Sequence, residues 1–203
     1  DVPTTHKQKV TKKDKVDSRK LAKGLEIGTL KAIHIPTKFE RKLRSLSRLR
    51  DSCTRDLTRV KNRIKSHLYF YGVDLSEISE NKHWSAPFIA DLEELTKIGD
   101  PAALCLRHLL TKLKNERLTL LAIVRDLRKL FREHRKDDLR SLLSVPGVGF
   151  ITASTFLAEI GDASRFATED EFTSYIGLVP STNNTGETQK TGGLTPRKNS
   201  LLK

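Results

Sequence analysis

The sequence predicts a mainly α-helical protein, and three observations carry that prediction. Two long stretches place apolar side chains at alternating spacings of four and three, the signature of a helical seam. Aromatic residues make up only 6% of the 203-residue chain, and its 11 glycines suit helices joined by short loops better than a sandwich or barrel. With 36% hydrophobic and 31% charged residues, the composition is globular but tilted toward charge, so no single large core is expected.

Residues 1–13 are a polar, lysine-rich lead without periodicity, and 14–25 reads as a short helix with Leu21 and Leu25 on one side. The β-branched texture of 29–35 predicts a brief strand that Pro36 stops. Over 39–71, Phe39, Leu43, Leu46, Cys53, Leu57, Val60, Ile64 and Tyr71 form a heptad seam whose polar entries are Arg50 and His67. A second seam runs through Leu106, Leu110, Leu113, Leu120, Val124, Leu127 and Phe131, with Arg117 and His134 in phase. Two helices of about 30 residues, each roughly 45 Å long, should pair as a long antiparallel coiled-coil hairpin and mediate self-association. Between them, 72–101 holds Trp84 and a short helix around Ile89, Leu92 and Leu95. From 137 the heptad stops and Gly, Thr and Ser become common, which places a boundary near 134–138. Thr168 and Glu171 form a T-x-x-E start for a helix over 169–175.

Charge is unevenly placed. Of the net +13, residues 1–73 hold 20 Lys and Arg against 7 acids, whereas the rest holds 18 against 18. A basic block attracts polyanions, and nucleic acid is the expected partner in a chain without an apolar leader or membrane-length run. Cys53 and Cys105 both sit at apolar-phase positions and read as small buried hydrophobes in a reducing cytoplasm. The six histidines lack metal-ligand spacing, and neither a G-x-x-x-x-G-K-[ST] loop nor a G-x-S-x-G elbow occurs. The chain starts at Asp1, lacks Met, and ends in 196–203 on what reads as an opening helical turn, so its natural termini are expected to lie outside it.

Three groups of residues could carry chemistry. Pro146-Gly147-Val148-Gly149, with an apolar helix after it, fits a helix-hairpin-helix, in which glycines let backbone N–H groups meet a phosphate. A plain glycine turn between packed helices fits the same residues. Asp14 and Asp17 lie three apart on one helical face, where they could ligate Mg²⁺ or simply cap and start the helix. Arg41, Arg44, Arg48, Arg55 and Arg59 lie off the first seam as an outer basic stripe, interrupted only by Asp51 and Asp56. Such a stripe could track a nucleic-acid backbone, or be a solvated coiled-coil face.

Taken together, these segments resemble the one-ten family of insertion-sequence transposases, which joins a RuvC-like DEDD domain to a C-terminal transposase domain. Lys12-Lys13-Asp14-Lys15-Val16-Asp17-Ser18, leading into Leu21-Ala22, is similar to the segment supplying the last two acids of that family's tetrad. The runs Gly28-Thr29-Leu30, Ile35-Pro36, Arg48-Leu49-Arg50, Lys61-Asn62-Arg63, Leu68 and Gly72 resemble the family's next stretch of chain. Pro146-Gly147-Val148-Gly149, Ala158-Glu159-Ile160-Gly161-Asp162, Arg165-Phe166 and Tyr175-Ile176-Gly177-Leu178-Val179-Pro180 reproduce the C-terminal order of motifs.

The resemblance implies a partial RuvC-like α/β remnant over 1–37, the hairpin over 38–136, and a C-terminal transposase domain over 137–203. It implies metal-dependent DNA strand cleavage and rejoining, with Asp14 and Asp17 as Mg²⁺ ligands, in a prokaryotic, nucleoid-associated setting. It also implies an element-encoded guide RNA as a second partner. The family's hydroxyl nucleophile comes from a Ser-Gly pair, where this chain has Thr185-Gly186. A threonine can be a nucleophile, although its methyl crowds an in-line approach; without that role, 183–186 reads as a polar turn. The family's leading Asp and Glu have no counterpart here, which leaves two carboxylates for four. The rival readings are a non-catalytic nucleic-acid-binding helical protein and a structural coiled-coil adaptor.

Overall fold

The computed structural model of the chain describes residues 14–30, 33–74, 78, 84–185, 188–194, 199 and 201–202, with side chains outside 181–191. The lysine-rich lead, His6, His83 and Gly186 lie outside these residues. The chain divides into two compact units, Asp1–Pro36 and Thr37–Lys203. The described part is mainly helical, as expected, and no described helix is long and apolar enough to cross a membrane.

In the first unit, helix α1 spans Asp14–Glu26 with Asp14 and Asp17 in its first turn and Lys23 in its last, each matching the helix dipole. Gly24 leaves room for Leu30 to fold back, since a Cβ there would come within 2.9 Å of Leu30 Cγ. The described residues of the strand expected over 29–35 are coil. β-Branched texture alone supplies no ladder partner, and a strand without one has no hydrogen-bonding reason to exist.

The second unit is built on helix α2, Lys38–Phe70, and helix α4, Pro101–His134, packed side by side and antiparallel. Thr37 starts α2 with a reciprocal capping box, in which Glu40 N–H donates to Thr37 Oγ1 (3.2 Å) and Thr37 N–H to the Glu40 carboxylate (2.7 Å). Asp100 caps α4 by accepting from Ala103 N–H (2.6 Å), and Pro101 at its first position needs no hydrogen-bond acceptor.

Two apolar clusters line the pair. At one end Val60, Ile64 and Leu68 meet Leu106, Leu110 and Leu113, roofed by Phe88, Ile89 and Leu92 of helix α3 (Ala86–Leu95) and by Trp84. At the other end Leu43 and Cys53 meet Ile123, Leu127 and Phe131, covered by helix α5 (Lys136–Leu143) and helix α6 (Phe150–Ile160). Each fully buried Leu, Ile or Phe contributes about 1.5–3 kcal/mol by leaving water. Helices α5 and α6 therefore share a core with the hairpin.

The seams differ from the heptad reading in phase. Leu68 is buried where Tyr71 was expected, Ser47 is buried while Leu46 is only half-buried, and Ile123 is buried beside a half-buried Val124. A helix of 3.6 residues per turn drifts about 20° per heptad unless it supercoils. In addition, α2 faces a second partner: Ser47 sits against Thr155 of α6, with their hydroxyls 3.4 Å apart. Cys53 is buried as expected, but Cys105 is exposed, because it lies outside the contact line set by Leu106 and Leu110.

After α6, a 3-10 turn (Ala163–Arg165) leads into helix α7, Glu169–Ile176, capped by Thr168 as the T-x-x-E pattern predicts. Strands β1 (Pro180–Thr185) and β2 (Thr188–Leu194) then pair antiparallel. Asn183 and Asn184 therefore lie within a strand, opposite Lys190 and Gln189, rather than in the polar turn expected at 183–186. Asn is a poor strand former, so local propensity did not announce the hairpin.

Candidate nucleic-acid interface

The turn joining α5 to α6 leaves its backbone open on one side. Gly147 adopts φ +85, a left-handed conformation in which any other residue would be strained, and no atom lies within 4 Å of where its Cβ would be. Gly149 is the N-cap of α6 without a side-chain bond, and its Cβ position is equally open. Val148 tucks its side chain against the second apolar cluster. The first N–H groups of α6 thus emerge beside open space, carrying the positive end of the helix dipole. Arg128 of α4 stacks on Phe150 at 4.7 Å and brings a cation to the same turn. No sequence motif had singled out Arg128.

Arg41, Arg44, Arg48, Arg55 and Arg59 do not form one outer stripe on α2. Arg44 and Arg48 face α6. Arg44 donates to the carbonyls of Ala158 (3.3 Å) and Glu159 (2.9 Å), the last turn of that helix. Arg48 makes a two-pronged bond to the Glu159 carboxylate at 2.7 and 2.8 Å. Arg55 pairs with Asp51 and Arg59 with Asp56, while Arg41 is exposed near the start of the helix. The expectation of an uncompensated stripe is thereby corrected, since the acid that answers Arg44 and Arg48 comes from a position more than a hundred residues away.

Glu159 is the centre of this arrangement, and sequence reasoning assigned it no role. Its side chain is 1% exposed, yet it holds a full set of partners: Arg48, Arg44 at 3.6 Å and the Asn199 amide at 2.9 Å. Tyr175 of α7 donates its hydroxyl to the Glu159 carbonyl (3.1 Å). Burial pushes the Glu159 carboxyl up, but the bonds from Arg48 and Asn199 and the charges of Arg48 and Arg44 outweigh it and hold the group below the ordinary glutamate value. The same bond raises Arg48 above the ordinary arginine value, against the opposing effect of its own desolvation. A lone carboxylate inside the apolar run of α6 was the available signal, because a buried charge needs partners. Next to it, Arg165 stacks on both Phe166 (4.2 Å) and Tyr175 (4.4 Å), with its buried Nε and one terminal nitrogen unbonded.

Asp14 and Asp17 lie in the first unit, while Gly147, Val148, Gly149, the arginines and Thr185 belong to the second. Asp14 is exposed and Asp17 half-buried, one helical turn apart. Carboxylate oxygens are the donors that Mg²⁺ takes. Among the described residues, however, no third His, Cys, Asp or Glu joins them into a ligand group. The two acids fit such an ion in kind but complete no ligand set among the described residues. Thr185 ends β1, opposite Thr188.

Comparison with known proteins gives these positions a setting. Residues 139–203 match the profile of the Transposase IS116/IS110/IS902 family, and residues 2–72 match a second transposase profile, that of the IS110 DEDD type. The chain is 28% identical over 196 residues to the "Probable family 20 transposase" of Pseudomonas aeruginosa, covering 95% of this chain and 56% of that protein. It is 24% identical over 195 residues to the "Transposase for insertion sequence element IS1111A" of Coxiella burnetii, covering 96% and 53%. A third relative, the "Transposase for insertion sequence element IS1328" of Yersinia enterocolitica, is 24% identical over 199 residues, covering 96% and 57%. The chain thus spans about half the length of these curated relatives. With matches of one kind at both ends and alignments running through almost all of it, the chain belongs to the IS116/IS110/IS902 family of transposases.

Proposed function

We propose that this chain supplies DNA-contacting and catalytic parts of an insertion-sequence transposase that cleaves and rejoins DNA strands. The observation that carries the reading is the presence of two transposase profiles, in order, on one chain whose charge excess lies in its first third. In this reading 1–37 is the end of a RuvC-like domain, 38–136 a coiled-coil hairpin that mediates self-association, and 137–203 a transposase domain. The turn at Gly147, Val148 and Gly149 serves as a helix-hairpin-helix, seating a DNA phosphate between the α6 N-terminus and Arg128. Such contacts position a duplex without reading its sequence.

Asp14 and Asp17 are the residues that would hold a divalent cation, Mg²⁺ in the simplest case, which would offset the negative charge developing on phosphate oxygens during strand cleavage. Thr185 is the hydroxyl proposed to attack phosphorus. An element-encoded RNA is a further proposed partner, and the cytoplasm, in association with the nucleoid, the proposed location. A strand-transfer assay with Mg²⁺ and end-bearing donor duplex tests the assignment. Asp14→Ala, Asp17→Ala and Thr185→Ala should each reduce product by on the order of 100-fold or more, given the rate contributions of single catalytic groups. Undiminished product in all three would refute these roles.

A second reading, a nucleic-acid-binding helical protein that cuts nothing, draws support from the two acids completing no three-membered ligand group among the described residues. It predicts binding that weakens steeply with salt and ignores metal.

A further inference from the structure

At the far end of the hairpin from the glycine turn, one flank carries a combination that the cleavage reading leaves unused. Arg59, Asn62 and Arg63, Ser66 and Phe70 follow one another at one-turn intervals, so they line one side of α2. With Tyr71, and with Cys105 and Leu109 of α4, they border an open groove of about 680 Å³. Phe70 is 80% exposed and Tyr71 53% exposed, and their rings pack edge to face with centroids 5.1 Å apart. Large aromatic rings left in water beside one another mark a contact surface.

The charge around the groove indicates what the contact is. From 57 to 73 α2 and its cap contain Arg59, Lys61, Arg63 and Lys65 and no acid, and from 101 to 115 α4 contains Arg107, Lys112 and Lys114 and no acid. Arg59 is answered by Asp56, and Lys114 by Glu93, but Arg63 has no ion-pair partner among the described residues. Arg107 turns to the Thr96 carbonyl and Lys114 to Glu93, so the positive charge at the groove comes from its α2 wall. A protein interface would also take arginine and aromatic rings, but it is depleted of lysine, and Lys61 and Lys65 stand on the same stretch of α2. Rings set beside unpaired cations are what a flexible polyanion with exposed π-faces requires: bases stack on the rings while the guanidinium meets the phosphates.

We propose that this flank binds an unpaired polynucleotide strand, with Phe70 and Tyr71 as stacking platforms and Arg63 as the phosphate contact. A duplex, whose bases are already stacked, would gain little from the rings. The proposal rests on nucleic acid being the ligand of this chain, so duplex binding is measured in parallel and the two readings can fail separately.

The test uses the 203-residue chain with oligo-dT, oligo-U and a duplex, each of about 20 nucleotides. Phe70→Ala and Tyr71→Ala should each weaken single-strand binding on the order of tenfold and leave duplex binding unchanged. Arg63→Ala should weaken it and flatten its salt dependence by roughly 0.7 in log–log slope. Leu121→Ala, an exposed apolar residue elsewhere on α4, should change nothing. Because all these positions are exposed, the variants should fold, and helix content by circular dichroism checks that they do. In the unmodified chain, bound strand should slow thiol labelling of Cys105 several-fold, while buried Cys53 stays unreactive throughout. A preference for oligo-U over oligo-dT would identify RNA as the source of the strand, and the reverse would identify DNA. Unchanged single-strand affinity in Phe70→Ala and Arg63→Ala would overturn the proposal. So would loss of self-association in Phe70→Ala with strand affinity intact, which would make the flank a face for a second copy. Duplex binding lost while strand binding persists would instead count against the cleavage reading.

Discussion

The two ends of the α2–α4 hairpin are made from the same materials and use them differently. Where α6 lies across the hairpin, arginines turn inward: Arg44 and Arg48 close onto the last turn of α6 and the buried Glu159. Where α3 covers it, apolar residues complete the core and the arginine-bearing flank stays in water, with Arg63 and the Phe70–Tyr71 pair on the surface. Basic residues spaced three to four apart therefore carry no fixed meaning. Their role is set by whether the helix crossing that level brings a carboxylate.

The contrast between the ends can be broken most severely by opening the covered one. Phe131 is fully buried between α2, α4 and α6, and Phe131→Ala should cost about 3–5 kcal/mol, read as a fall in the urea midpoint. Arg48→Ala removes the two-pronged partner of a buried carboxylate. Loss of one member of a fully buried pair costs about 3–5 kcal/mol, but the Arg48 side chain is 55% exposed and Arg44 and Asn199 remain, so about 2 kcal/mol is expected. Gly161→Ala comes next. Gly161 ends α6 at φ +71, and a Cβ there would lie 2.6 Å from the Glu40 carboxylate that caps α2, so a loss of about 1–3 kcal/mol should result.

Acid sharpens the same contrast. A carboxyl whose folded value is depressed contributes stability above its unfolded value, about 4.3 for glutamate, and loses that contribution as pH falls through the folded value. The unmodified chain should therefore lose stability as pH drops below about 4, and Glu159→Gln should flatten that part of the profile. An identical acid limb in the variant would place the titration elsewhere. Smallest of all, Phe70→Ala should shift stability by less than about 0.5 kcal/mol, because its ring makes its contacts in water.

Much of this was legible from the residues. The two long helices, their antiparallel pairing and the start of α7 stem from apolar spacing and capping chemistry, and Thr37 and Glu40 repeat at α2 the pattern that marked Thr168 and Glu171. The Gly147 turn is legible because Pro-Gly-x-Gly between two apolar helical runs calls for a tight turn. Burial phase was less visible, since periodicity in one helix cannot say how many partners it has. Heptad spacing for that reason puts Arg44 and Arg48 outside and Cys105 inside, whereas the arginines turn toward α6 and Cys105 is exposed. The strand pair 180–194 stayed hidden behind Asn, Thr and Gly, of which Asn and Gly oppose strand formation. Glu159 was in plain view within a run of apolar residues, but its partners come from α2, from α7 and from Asn199, which no local pattern connects.

The division of labour between the two ends is tested most directly by the salt dependence of single-strand binding in Arg48→Lys and Arg63→Ala. Arg48→Lys keeps a cation facing Glu159 and should retain the unmodified slope, whereas Arg63→Ala should flatten it by roughly 0.7 log–log units. Equal losses in both variants, or none in either, would contradict the account.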